Sequence, residues 1–298
     1  MAVIMADQSS GSRALLADED VTGKPQDTDA VLEAQYNNRA LVPDHPAVMA
    51  RWKAGSETAR AAHAPQILKY GPGERERIDW FDAGDSAPVV VFLHGGYWQA
   101  LDAGWFSFVA PPLLAHGVSV AIPTYDLAPS VRLGRIVDQA RAAVDLIRGR
   151  TGAAPVVSGH SAGGHMAACL LADGRASAAV ALSGVFDLEP LIPTSLNVAL
   201  DLNTTEARSL SPMRWPAPAG AVLDCIVGGA ESEAFVDQSR AMAACWGEAG
   251  AETRFEPLPD LNHFTVLNPL FDTDSALVRR LADLAHRRWA SIRPGGEK

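Results

Sequence analysis

The chain has 298 residues, of which 48% are hydrophobic and 20% charged, enough apolar material for one large core. Its formal net charge of −10 excludes the clustered-cation footprint that a nucleic-acid partner requires, and reads instead as a solubility feature. Cys169, Cys225 and Cys245 are too few and too far apart for a disulfide framework, and none has the CxxC spacing of a structural zinc site.

Residues 1–28 read as a polar, poorly ordered leader, without the basic start or the continuous apolar stretch of a signal peptide. No apolar run approaches the ~20 residues of a membrane span, so the expectation is a cytoplasmic protein that does not insert into a membrane. Residues 29–298 read as a single α/β domain. From Asp29 to Ala62 the spacing of Val31, Leu32, Tyr36, Val48, Met49 and Trp52 predicts two helices divided by Pro43 and Pro46, lying against the rim of the core. Two strands follow at 67–70 and 77–81, joined by the Gly71-Pro72-Gly73 turn.

Apolar runs at 89–93, 118–122, 155–157, 178–182 and 223–227 are short and unbroken, which suits strands buried on both faces. Helical patterns lie between them. The clearest spans 130–150, where Leu133, Ile136, Val137, Ala140, Val144 and Ile147 share one face, and others follow Ser161, Ser232 and Asp272. Such alternation predicts βαβ units and an α/β domain with a mostly parallel central sheet flanked by helices. Residues 187–218 break the rhythm with Pro190, Pro193, Pro212, Pro216 and Pro218, and read as a small helical lid insertion.

Gly159-His160-Ser161-Ala162-Gly163 is a GxSxG pattern between an apolar strand and a helix. In that context the glycines permit a turn too tight for side chains, and the turn presents the Ser161 hydroxyl as a nucleophile. His94-Gly95-Gly96-Tyr97-Trp98 directly follows the 89–93 strand. Acyl transfer develops an oxyanion, and the amides of Gly95, Gly96 and Ala162 are the expected donors to it. A serine needs a base, and His263 in Leu261-Asn262-His263-Phe264 comes late in the chain, where the order Ser, acid, His places it.

Glu231 follows the 223–227 strand by a short turn and is the expected acid, with Asp237 and Asp260 as competitors. His94 and His160 flank the motifs and are expected to orient backbone or pocket groups, and His165 to pack. Tyr97 and Trp98 are the expected substrate-binding aromatics, with Trp105 and Phe106 as further candidates for an aromatic wall. No HExxH, phosphate-loop or dinucleotide pattern is present, so no cofactor or metal is expected.

Taken together, Tyr36-Asn37-Asn38-Arg39, His94-Gly95-Gly96-Tyr97-Trp98-Gln99, the serine turn, Glu231-Ser232-Glu233-Ala234-Phe235 with Gln238-Ser239, and His263-Phe264 resemble the kynurenine formamidase branch of the α/β-hydrolases, close to hormone-sensitive-lipase-like esterases. The resemblance covers most of the chain after about residue 30. It implies a formamide or ester substrate with an aromatic portion, a Ser161–His263–Glu231 triad and no metal. Relatives often carry Asp where this chain has Glu231. The expected activity is cleavage of an aryl formamide such as N-formylkynurenine, the alternative is a general carboxylesterase on short-acyl esters, and the remote alternative is a non-catalytic ligand receptor on a hydrolase scaffold. A small ester or formamide is the expected partner, and a homodimer is an assembly left open.

Overall fold

Five apolar runs supply the centre of one eight-stranded sheet. The structure, a computed structural model, describes residues 28–292, so the leader expected over 1–28 lies outside the described residues except for Thr28. Three helices come first: α1 (Ala30–Tyr36), α2 (Asn38–Leu41) and α3 (His45–Ala62). The strands β1 (Gln66–Lys69), β2 (Arg77–Phe81) and β3 (Val89–Leu93) follow, then α4 (Ala110–Ala115), β4 (Ser119–Thr124), α5 (Leu133–Thr151), β5 (Val156–His160), α6 (Ala162–Ala172) and β6 (Ala178–Leu182). After these come α7 (Asn197–Leu200), α8 (Thr204–Ser209), β7 (Val222–Gly228), α9 (Glu233–Glu248), β8 (Glu252–Leu258) and α10 (Ala276–Ile292).

The strand order is β1-β2-β4-β3-β5-β6-β7-β8. β2 runs antiparallel to both of its neighbours, and the remaining pairs are parallel. Alternate residues of one strand serve opposite faces. Val89, Val91 and Leu93 join the core under α5, α6 and α9, while Val90 and Phe92 join the core under α3, α4 and α10. Because both faces are covered, the strand reads as an unbroken apolar run rather than an alternating one.

α5 begins at Leu133, three residues later than its pattern suggested, and buries all six residues assigned to its apolar face. It stops at Gly152, whose φ of +73° is the left-handed cap that a side chain would disfavour. The 187–218 stretch folds into α7, α8 and two short 3₁₀ turns, Glu189–Leu191 and Pro212–Arg214.

The chain leaves β3 for β4 on one side and later returns to β5 on the other. The order therefore reverses at the β3–β5 pair, and the loops beyond their carboxyl ends open a crevice there. His94-Gly95-Gly96 and Ser161 sit at these two strand ends, and the loops after β7 and β8 bring Glu231 and His263.

Candidate active site

Ser161 is the one-residue joint between β5 and α6, at φ 55° and ψ −115°. A non-glycine residue in that region costs about 1–3 kcal/mol and persists only where the surroundings fix it. Its N–H donates to Leu182 O at 2.8 Å, and its carbonyl accepts from the His165 N–H at 3.1 Å. The flanking glycines are required by contact. A Cβ at Gly163 would sit 1.9 Å from Leu93 O, and one at Gly159 would sit 2.3 Å from Gly163 O. The first-turn amide of Ala162 has no acceptor within its own helix.

His263 is buried, and its Nδ1 donates to Glu231 Oε2 at 2.7 Å. The other carboxylate oxygen, Oε1, accepts the Gly228 N–H at 2.7 Å and the Ser183 hydroxyl at 2.5 Å. Glu231 is thus the acidic residue on the imidazole, and neither Asp237 nor Asp260 takes that place: Asp237 is exposed and pairs with Arg240 one turn along α9. A proton on Nδ1 leaves the lone pair on Nε2. Phe235 packs its ring 4.5 Å from the imidazole, and His160 packs 4.8 Å away.

His160 Nε2 donates to the carbonyl of His263 at 2.7 Å, so the residue before the elbow holds the backbone of the imidazole. Burial, reinforced by the neighbouring His263, pushes its pKa well below the ordinary histidine value and keeps it neutral. His94 acts on the other loop. Its Nδ1 donates to Gly95 O at 2.8 Å, the Tyr125 hydroxyl donates to His94 O at 2.7 Å, and the two rings stack at 4.1 Å. Burial takes the His94 pKa down to about 4.

The backbone after β3 is coiled tightly, with positive φ at Gly96 (109°), Tyr97 (50°), Trp98 (57°) and Leu101 (75°). This coil separates the two aromatic side chains. Tyr97 lines the cavity beside Ser161; its hydroxyl donates to Tyr36 O at 2.7 Å and accepts from Asn38 Nδ2 at 3.2 Å. Trp98, expected beside substrate, instead points into the core, fully buried and edge-on to His165 at 5.1 Å. Phe106 is likewise buried, against Trp52, Phe92 and His94, and Trp105 lies outside the cavity wall.

The cavity over Ser161 measures about 190 Å³. Gly96, Tyr97, His160, Ser161 and His263 line it, together with Phe264, Trp52, Met49, Tyr36, Asn38, Arg39 and Leu196 among others. The helices before the sheet, expected only at the rim of the core, therefore build a wall of the site. Trp52 and Met49 sit at a spacing that reads equally well as core, and nothing local to Ser183 marks it as a partner of Glu231. Leu196, from the insertion, also lines the cavity, and its carbonyl accepts from Gln99 Nε2 at 3.1 Å. Glu33 of α1 accepts from the Ser195 N–H and hydroxyl at 2.8 and 2.7 Å, so α1 and the insertion are tied together. Among the described residues no group of three or more His, Cys, Asp or Glu side chains is placed to hold a metal, and no helix is long and apolar enough to cross a membrane.

A mostly parallel sheet whose order reverses beside Ser161, with a Glu–His pair on the neighbouring loops, is the architecture of an α/β-hydrolase. The chain belongs to the alpha/beta hydrolase family, which it matches over residues 90–296. Similarity extends further to individual proteins. Kynurenine formamidase of Salmo salar is 30% identical over 249 residues, spanning 77% of this chain and 85% of its own length. That of Danio rerio is 29% identical over 248 residues, with the same coverage. A crystal structure from Silicibacter sp. TM1040, provisionally called a thioesterase, superimposes with a TM-score of 0.74 at 34% identity, covering 83% of this chain and 97% of its own. An esterase of the bacterial hormone-sensitive lipase family shares the fold with a TM-score of 0.62 at 19% identity, covering 83% and 98%.

Proposed function

We propose that this hydrolase cleaves an aryl formamide such as N-formylkynurenine through a Ser161–His263–Glu231 triad. The observation that carries the reading is the Glu231–His263 contact beside a strained Ser161 in a small aromatic cavity. The similarity to kynurenine formamidases supports the choice of substrate.

In this mechanism the Ser161 hydroxyl attacks the formyl carbon while His263 Nε2 takes its proton. The oxyanion accepts hydrogen bonds from the amides of Gly95, Gly96 and Ala162, donors fixed before the reaction and so free of reorganisation cost. Collapse breaks the C–N bond as His263 returns the proton to the leaving aryl amine. Water then attacks the formyl-serine by the same route, releasing formate and restoring Ser161. Glu231 holds the imidazole in the tautomer that leaves Nε2 unprotonated and stabilises the imidazolium.

A short-acyl carboxylesterase is the second reading, favoured by the esterase and thioesterase names among the structural neighbours. Measuring kcat/KM on N-formylkynurenine beside p-nitrophenyl acetate and butyrate separates the two. A formamide value of about 10⁴ M⁻¹s⁻¹ or more, well above both esters, is the expected outcome. Fast ester cleavage with negligible formamide turnover would overturn the formamidase reading in favour of the esterase.

A further inference from the structure

The cavity over Ser161 is lined by aromatic, aliphatic and amide side chains, two histidines and a single permanently charged group, Arg39. No Asp or Glu contributes to that wall, although the chain has 35 acidic residues against 25 Lys and Arg. Glu231 lies behind the imidazole of His263, facing Ser183 and Gly228. Arg39 makes no ion pair or side-chain hydrogen bond with any described residue, whereas Arg132, Arg135, Arg141, Arg208 and Arg214 each hold a carboxylate.

Arg39 is exposed, and it is the backbone beneath it that is fixed. Arg39 belongs to α2, whose start is capped by Asn37, the Asn37 Oδ1 accepting the Ala40 N–H at 3.2 Å. The preceding residue, Asn38, is buried and donates to the Tyr97 hydroxyl at 3.2 Å, and Tyr97 directly follows Gly96 of the oxyanion loop. The guanidinium is therefore carried by a segment clamped to the catalytic loop. A free cation on a fixed backbone at the wall of a largely uncharged cavity suits a planar anion, with which Arg forms paired, charge-assisted hydrogen bonds.

We propose that Arg39 is a specificity-determining residue, binding a carboxylate on the part of the substrate that leaves with the amine or alcohol. This rests on the reading of Ser161 as the nucleophile, and it deepens that reading: the preferred substrates are aromatic formamides or esters bearing an anionic tail. The carboxylate adds ground-state binding remote from the reacting carbon, so its loss shows in KM.

The test compares each carboxylate with its carboxamide isostere, N-formylkynurenine against its α-carboxamide (both keep the α-ammonium) and 3-(2-acetoxyphenyl)propionate against its carboxamide, in the wild type, Arg39→Gln and Arg39→Glu. The expected result is that the carboxylate-to-carboxamide ratio of kcat/KM falls about tenfold in Arg39→Gln, the size of one charge-assisted hydrogen bond, through KM, and further in Arg39→Glu. In the wild type the same ratio falls with added salt. A ratio unchanged by both substitutions overturns the proposal. Because the formamide pair and the ester pair report charge preference separately, an enzyme that cleaves only esters refutes the formamide reading while still testing Arg39.

Discussion

His263 Nδ1 lies 2.7 Å from Glu231 Oε2, and the carboxylate is itself held from behind by the Ser183 hydroxyl and the Gly228 amide. The imidazole is thus oriented through two layers of hydrogen bonds contributed by the ends of β6 and β7. Replacing Glu231 by Gln keeps the shape but removes the charge and permits the wrong tautomer. A loss in kcat of about 10³-fold or more, with little change in KM, is expected from steady-state kinetics.

Ser183→Ala removes one of three hydrogen bonds to the same carboxylate and leaves the Glu231–His263 contact intact. Its loss in kcat is expected to be about tenfold, the scale of one hydrogen bond to a charged group, and much smaller than that of Glu231→Gln. Equal losses in the two variants would place Ser183 in a different role.

At Gly163 an added Cβ would sit 1.9 Å from a backbone oxygen of Leu93, a contact no rotamer can relieve. Gly163→Ala ought to gain roughly 1 kcal/mol of helix propensity, yet the clash reverses the sign. Thermal unfolding is expected to show a lower Tm and lost activity. By contrast, Gly149→Ala near the end of α5, where an added Cβ meets nothing within 4 Å, is expected to hold or raise Tm.

Glu76 supplies a pH dependence. The Gly73 N–H donates to its carboxylate, and that bond, against the opposing effect of burial and with help from Gln139 and Arg135, holds its pKa below the ordinary glutamate value. Because the folded carboxyl titrates below its unfolded value of roughly 4.3, its contribution to stability is complete above that pH and is lost as pH falls through the folded value. Tm measured from pH 7 down to 3 is expected to show Glu76→Gln least stable relative to wild type at neutral pH, with the gap closing in acid.

Burial pushes the Cys169 and Cys225 thiols far above their ordinary pKa, whereas Cys245 is exposed. A thiol reagent is expected to modify Cys245 rapidly in the native protein and the two buried thiols only after denaturation.

The sheet was legible in the sequence because both of its faces are buried: β3, β6 and β7 appear as apolar runs within a residue of their observed limits. The elbow was legible because close backbone contacts at Gly159 and Gly163 leave no room for side chains there. The cavity wall was less so. Trp98 sits one residue from Tyr97, but consecutive left-handed backbone angles turn the two rings apart, and no periodicity encodes that. Trp52 and Met49 reach the site because α3 packs against the end of β5 and the loop after β8, a relationship set by tertiary packing.

The most direct test of Ser161 as nucleophile is intact-mass analysis and peptide mapping after reaction with a fluorophosphonate, beside hydrolytic activity on the same sample. One adduct on Ser161, appearing in step with loss of activity and absent from Ser161→Ala, is the predicted result. Full inactivation without modification of Ser161, or undiminished turnover by Ser161→Ala, would contradict it.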